Sequence, residues 1–294
     1  MYKYYMPKKI NSNLQGMNSL IRIYNKLLTV EDDEIILNFK NTTWLSGEMV
    51  ALFGAIAYKL NKHFNKKVYI SEFSPEIEKV FKSNGFCEVI ANMENEEAKE
   101  FAVRFKQFEK QLNAGDTNCF NEYLKNDFSP KLELDEKEID YISSYLSELF
   151  INARTHGETN EIFCCGQKYK SQSKIKFIIV DLGIGIPTNV RKIKKLDDCN
   201  SIAWSVEKGN TTKDLDKDTG GLGLADVIEF IEQHNGDISI ISLKGEYNYR
   251  MNITDNLPYE FQGTCIYIDF DFNMLNNVDK MFEIIRRGKN DWDF

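Results

Sequence analysis

Three short stretches of this chain carry side chains whose types and spacing could do chemistry. The first, SELFINARTHG at 147–157, repeats a carboxylate, a carboxamide and an imidazole every four residues: Glu148, Asn152 and His156. Residues four apart lie one above another on a helix, so the three form a polar line. The second, IIVDLGIGIP, runs an apolar segment into Asp181, then Gly183, Gly185 and Pro187. Glycines at alternate positions let the chain turn and let bare backbone approach a ligand. The third, DTGGLGLADVIEFI, sets Gly220, Gly221 and Gly223 immediately ahead of an apolar-periodic helix. Free N–H groups at a helix start, together with its dipole, form an anion site, and glycine lets a phosphate touch the backbone. The spacing matches neither a P-loop nor a dinucleotide fingerprint. Each stretch also has a plainer explanation: a solvated helix face, a β-turn after a core strand, and a glycine-rich loop before a helix.

The elements that must position these groups follow from hydrophobic periodicity. Asp135 and Glu138 suggest a capping box opening a helix that runs to about His156 and stops at Gly157. Its apolar stripe is Ile139, Ile142, Leu146, Leu149, Phe150 and Ala153. Glu148 and Asn152 fall at the border of that stripe, where a helix can line a pocket. Strands EIFCCGQ and KIKFIIVDLG follow, then a polar segment to about residue 219, helix LGLADVIEFIEQH closed by Gly236, and strands DISIISL and TCIYIDF. This predicts a two-layer α/β domain over 134–294. Upstream, strand EIILNFK, a helix opened by Ser46-Gly47, strand KKVYISEF and helix SPEIEKVFKSNGF predict a smaller α/β domain over 1–90. Residues 91–133 read as a connector. Within it Phe101, Phe105, Phe108 and Leu112 fit a helical stripe, while Phe101, Val103 and Phe105 fit a strand equally well.

Composition narrows the partners. The 294 residues carry a formal charge of -8, which disfavours a nucleic-acid or anionic-membrane surface. The sequence has no apolar run of about eighteen residues, and MYKYYMPKKI has no hydrophobic core of a secretory signal. The six cysteines show no C-x-x-C spacing, so free thiols in a cytoplasmic protein are expected. Adjacent Cys164 and Cys165 predict one thiol on each side of a strand.

E-x-x-x-N, then D-x-G-x-G-I-P, then G-G-L-G-L, then a strand opening Gly263-Thr264 occur in one order over about 134–272. Together they resemble the GHKL (histidine kinase-like) ATP-binding family, and ELFINARTHG looks most similar to its anti-sigma-factor serine kinase branch. The resemblance implies the Bergerat ATP-binding fold, a two-layer sandwich of a mixed sheet covered by helices, with ATP and Mg²⁺. Asn152 would ligate Mg²⁺ through its side-chain oxygen, and Glu148 would orient or deprotonate the attacking hydroxyl or water. Asp181 would accept from the adenine amino group, a place where guanine offers a carbonyl. Gly183 and Gly185 would clear room for the base, and Thr264 would help fix it. Gly221 and Gly223 would cradle phosphates, with Gly220, Leu222 and Leu224 completing that nucleotide-contacting turn. EKGNTTK is similar to the nucleotide lid of the kinases, and 188–219, too long and polar for a quiet connection, reads as a lid with Thr211 and Thr212 among its contacts, the plainer reading being a solvated loop. His156 is expected to cap the helix end.

Residues 34–86 resemble the STAS fold of anti-sigma-factor antagonists. Family members of the antagonist type carry a phosphorylatable serine near the position of Ser46, but TTWLSGEMV lacks the usual aspartate, and an N-cap role suits Ser46 better. The implied function is a cytoplasmic signalling switch, an ATPase or a protein kinase acting on a protein partner, with a homodimer compatible. The alternative is a nucleotide-gated binding module without significant turnover. A dimeric clamp of the topoisomerase type is disfavoured by the short tail after the last strand. A sensor histidine kinase is disfavoured because His63 and His234 lack an H-E-x-R-like setting.

Overall fold

The computed structural model describes residues 1–87, 101–108, 117–131, 136–210, 212 and 223–277. The chain begins with β1 (Tyr2–Tyr5), the two-residue β2 (Lys9–Ile10) and helix α1 (Leu14–Leu28). None of these three was expected, although α1 has a clear signature. Asn13 caps it by accepting from the Gly16 N–H at 2.8 Å. Leu14, Met17, Leu20, Ile21, Tyr24 and Leu27 recur at three- and four-residue intervals, and all are buried. Next come β3 (Glu34–Asn38), β4 (Trp44–Leu45), a 3-10 turn at Gly47–Met49, α2 (Val50–Phe64), β5 (Lys67–Ser71) and α3 (Pro75–Ser83). β1, β3 and β5 form a parallel sheet in that order, and β2 pairs with β4, also in parallel. Ser74 caps α3 through the Ile77 N–H at 3.4 Å, with Pro75 in the first turn.

Ser46 stands at the expected helix start, but its hydroxyl does not cap the first turn. It accepts instead from the Ser12 N–H and the Trp44 indole N–H, each at 3.2 Å. The residue is buried, so its hydroxyl is out of a kinase's reach in this conformation.

The second half contains β6 (Ala102–Phe108), α4 (Asn118–Tyr123), α5 (Glu136–Thr155), β7 (Ile162–Tyr169) and β8 (Lys174–Asp181). It continues with α6 (Ile186–Val190), α7 (Asp198–Ser205), α8 (Leu224–Gln233), β9 (Asp237–Asn248) and β10 (Ile253–Asp271). The five strands pair in the order β6-β7-β8-β10-β9. Every pair among them is antiparallel, so this sheet is not the mixed one expected. For two of the four pairs the reason is local: β7–β8 and β9–β10 are hairpins, and short connections permit only antiparallel pairing.

Of the helix and strand readings open for this part of the connector, the strand is realised over Ala102–Phe108, and β6 joins the sheet edge against β7; Leu112 lies outside the described residues. A register shift between Val103 and Lys106 breaks simple alternation, so that Val103 and Phe108 face the helices, whereas Phe105 faces the amino-terminal half and meets Phe86 at 5.0 Å. α4 also belongs to this layer, since Phe120 stacks on Phe150 of α5 at 4.4 Å. The candidate cap Asp135 lies outside the described residues.

The central sheet is covered on both faces. On one, Leu146, Leu149 and Phe150 of α5 and Ile228 and Ile231 of α8 pack on Ile179, Ile240, Ile266 and Ile268. On the other, Leu52 and Ile56 of α2 and Met17 and Tyr24 of α1 share a core with Phe163, Ile178, Val180, Ile241 and Tyr267. The unbroken buried runs Ile162–Cys165 and Phe177–Val180 require this, because a strand solvated on one side would alternate with polar residues. Cys164 and Cys165 do project to opposite faces, one into each core. Among the described residues no helix is long and apolar enough to cross a membrane.

Candidate functional site

Burial of the predicted apolar stripe turns the polar line of α5 sideways. Ile142, Leu146, Leu149, Phe150 and Ala153 of that stripe are buried and Ile139 is half-buried; Glu148 is only 5% exposed, while Asn152 is half-buried. Both line a cavity of about 360 Å³ between α5, the end of β8, the middle of β10, α6, the stretch after α7 and the start of α8. Asp181, Gly185, Thr212, Gly223, Leu224 and Thr264 contribute to the same wall. Leu149, Ala153, Ile179, Ile186, Val190 and Ile266 supply its apolar lining. Such a mixture, mostly apolar with a few convergent polar groups, is what small-ligand sites present.

Asp181 ends β8 and stands in register with Ile162 on one side and Thr264 on the other. Burial pushes its carboxyl up to about 7, opposed by the Gly183 N–H, the Thr264 hydroxyl and the Lys59 ammonium. Its Oδ1 accepts from the Gly183 N–H at 2.9 Å.

The two glycines of the turn do different work. Gly185 has φ +80°, and an added Cβ would approach the Ser242 hydroxyl at 2.9 Å, so the position demands glycine beside the cavity. Gly183 does not line the cavity. An added Cβ there would fall 2.0 Å from the Gly157 carbonyl oxygen, which accepts from Ile184 N–H at 2.9 Å. Its bareness serves the contact of this turn with the end of α5, not clearance for a ligand.

Gly223 is extended, and its N–H donates to the Asp226 carboxylate at 2.6 Å. An anion at this helix start must share or displace that bond. Gly220, Gly221 and Leu222 lie outside the described residues. So do residues 211 and 213–219 of the segment expected to be a lid, and the described part of that segment is not simply loop. α6 and α7 occupy its beginning, with Val190, Cys199, Ser201 and Ile202 buried. Asp197 caps α7 through the Asn200 N–H at 2.9 Å, and Gly245 of β9 packs closely on Asp198. Residues Lys208, Gly209, Asn210 and Thr212 border the cavity beyond it. The imidazole of His156 also reaches the cavity wall, with Nδ1 3.4 Å from the Thr212 hydroxyl, which is more than helix capping requires.

Sequence inspection missed three contributors. Ser242 is a hub: its hydroxyl accepts from Ile186 N–H at 2.9 Å, donates to the Gly263 carbonyl at 2.9 Å and lies 3.1 Å from the Thr264 hydroxyl. Only the oddity of a serine within DISIISL could have signalled it. Asn189, on α6, donates from its side chain to the His156 carbonyl and so ties α6 to the end of α5. Trp204 brings an indole to the wall, with the Lys194 ammonium 5.6 Å from its ring centre.

Among the described residues, no three His, Cys, Asp or Glu side chains gather into a ready metal site. A metal held here would take carboxamide and ligand oxygens, a donor set suited to Mg²⁺, which usually shares its coordination with substrate phosphates. No known family model matches the chain, and no curated protein matches it.

Proposed function

We propose that this cavity binds a magnesium–adenine nucleotide of the GHKL type, and that the protein is an ATP-dependent switch, an ATPase or a serine/threonine kinase, acting on a protein partner. The observation that carries this reading is convergence. Glu148, Asn152, Asp181, Gly185, Thr212, Gly223, Leu224 and Thr264 come from separate segments and border one cavity. Asp181 and Thr264 would hold the base, since a buried carboxylate welcomes an amino donor and repels the guanine carbonyl. Asn152 would hold Mg²⁺, and the start of α8 would meet the phosphates. The ion and the nucleotide would supply charge neutralisation and the transferable phosphoryl group. Glu148, one helical turn before Asn152, is where a carboxylate could orient or deprotonate the attacking hydroxyl or water.

Calorimetric titration with ATP and GTP, with and without Mg²⁺, followed by assays of γ-phosphate release and protein phosphorylation, tests the proposal. Saturable binding that prefers adenine and strengthens with Mg²⁺ is expected. Equal affinity for both purines, or none, would refute it.

A further inference from the structure

The amino-terminal half does more than cover a face of the sheet. Just before Thr264, β10 loses regular pairing with β9, with register shifts on either side of Phe261. Irregularities of this kind re-aim side chains next to functional sites. The amino-terminal half holds three consecutive residues of this irregular stretch. Asn25 of α1 donates to the Glu260 carbonyl at 2.7 Å and accepts from the Glu260 N–H at 3.3 Å. Phe261 is fully buried, edge-on to Tyr24 at 6.1 Å and 5.6 Å from the Lys59 ammonium. The Gln262 carbonyl accepts from Lys59 Nζ at 2.5 Å.

The next two residues belong to the site. Gly263 has φ 127°, and an added Cβ would fall 2.2 Å from the Asp181 carbonyl oxygen. Thr264 lies opposite Asp181 in the register and on the cavity wall. The far side of Asp181 is tethered to the same helix. Tyr58 and His63 of α2 reach the Glu161 carboxylate at 3.1 and 2.8 Å, and the Glu161 carbonyl accepts from Leu182 N–H at 3.1 Å.

Lys59 is 1% exposed, and burial pushes its ammonium down to about 8 against the attraction of Asp181, Glu161 and Glu260. An apolar side chain of that length would fill the space at less desolvation cost. Packing alone therefore does not explain a lysine at this position.

We propose that Asn25 and Lys59 are positioning residues for the base end of the cavity: by holding Glu260–Gln262 they set Thr264 against Asp181, which makes the amino-terminal half a constituent of the ligand site. The ligand assignment rests on the nucleotide reading above; the mechanical coupling does not. The test uses the full chain with Asn25→Ala and Lys59→Met, titrated with Mg-ATP and with Mg-tripolyphosphate, which lacks base and ribose. Each variant should bind ATP about tenfold more weakly, the equivalent of roughly one well-made hydrogen bond, with tripolyphosphate affinity unchanged. Hydrogen exchange in the ligand-free protein should quicken about tenfold at the Gly183 and Thr264 amides.

An unchanged ratio of ATP to tripolyphosphate affinity in both variants, together with unchanged exchange, overturns the proposal. An equal loss of both ligands overturns it too, since that would report a merely structural role. If Lys59→Met fails to fold, the half-buried Asn25→Ala carries the test. If the wild type binds no nucleotide, the functional reading falls, and the exchange rates still decide the coupling.

Discussion

Asp181→Asn separates the charge of this residue from its shape. In the folded protein burial raises the carboxyl from 3.8 to about 7. A raised acid means that the native state holds the proton more tightly than the unfolded chain. Its contribution to stability is therefore fully present below the unfolded value and is lost as pH rises through about 7. A shift of about three units at about 1.4 kcal/mol each makes the loss on the order of 4 kcal/mol between acid and pH 8. Asparagine can still accept from the Gly183 N–H and carries no charge to desolvate. Urea denaturation of the ligand-free protein at several pH values is the assay. The variant should match the wild type near pH 4 and exceed it by a few kcal/mol at pH 8. Parallel curves, or a less stable variant at pH 8, would refute the claim that burial governs this carboxyl.

The same reasoning gives nucleotide binding a sign. In the proposed site the ionised carboxylate would accept from the adenine amino group, so wild-type affinity should be roughly tenfold weaker at pH 6 than at pH 8. Affinity that is flat, or that rises in acid, would contradict that role.

Further expectations concern neighbouring residues. Glu148→Ala should leave Mg-ATP affinity within about threefold while cutting phosphate release about a hundredfold, whereas Asn152→Ala should abolish the Mg²⁺ dependence of binding; calorimetry and phosphate-release assays check the pair. Gly185→Ala should cost about 1–3 kcal/mol in chemical denaturation, because alanine at positive φ is strained and its Cβ meets Ser242. Buried His234 donates from Nδ1 to the Phe230 carbonyl and is held neutral by desolvation, below its usual imidazole value. Its contribution is therefore full above the ordinary histidine range and falls as pH drops through the depressed native value, so thermal stability should decline on acidification and decline less in His234→Phe. Phe150→Ala, which removes the ring stacked on Phe120, should cost about 3–5 kcal/mol by equilibrium denaturation.

What the sequence determined by itself was local. Periodicity placed α5 and turned Glu148 and Asn152 to the border of its buried stripe, because 3.6-residue geometry depends only on neighbouring residues. An apolar run ending in Asp181, followed by alternate glycines, marked a strand and its turn. Paired cysteines in an apolar run marked the two faces of β7. α1 is equally legible from its cap and stripe. Tertiary structure alone decided the rest. Whether 101–108 is helix or strand was settled by a free sheet edge and by cores waiting on both faces. Gly183 owes its need for glycine to the backbone of Gly157, and Ser242 becomes a hub only once β9, β10 and the Asp181 turn are in contact. Lys59 and Asn25 reach the irregular stretch of β10 from the other half of the chain. Such contacts join groups far apart in sequence, and periodicity and turn chemistry carry no record of distant partners. They arise when burying the central sheet on both faces brings those groups together.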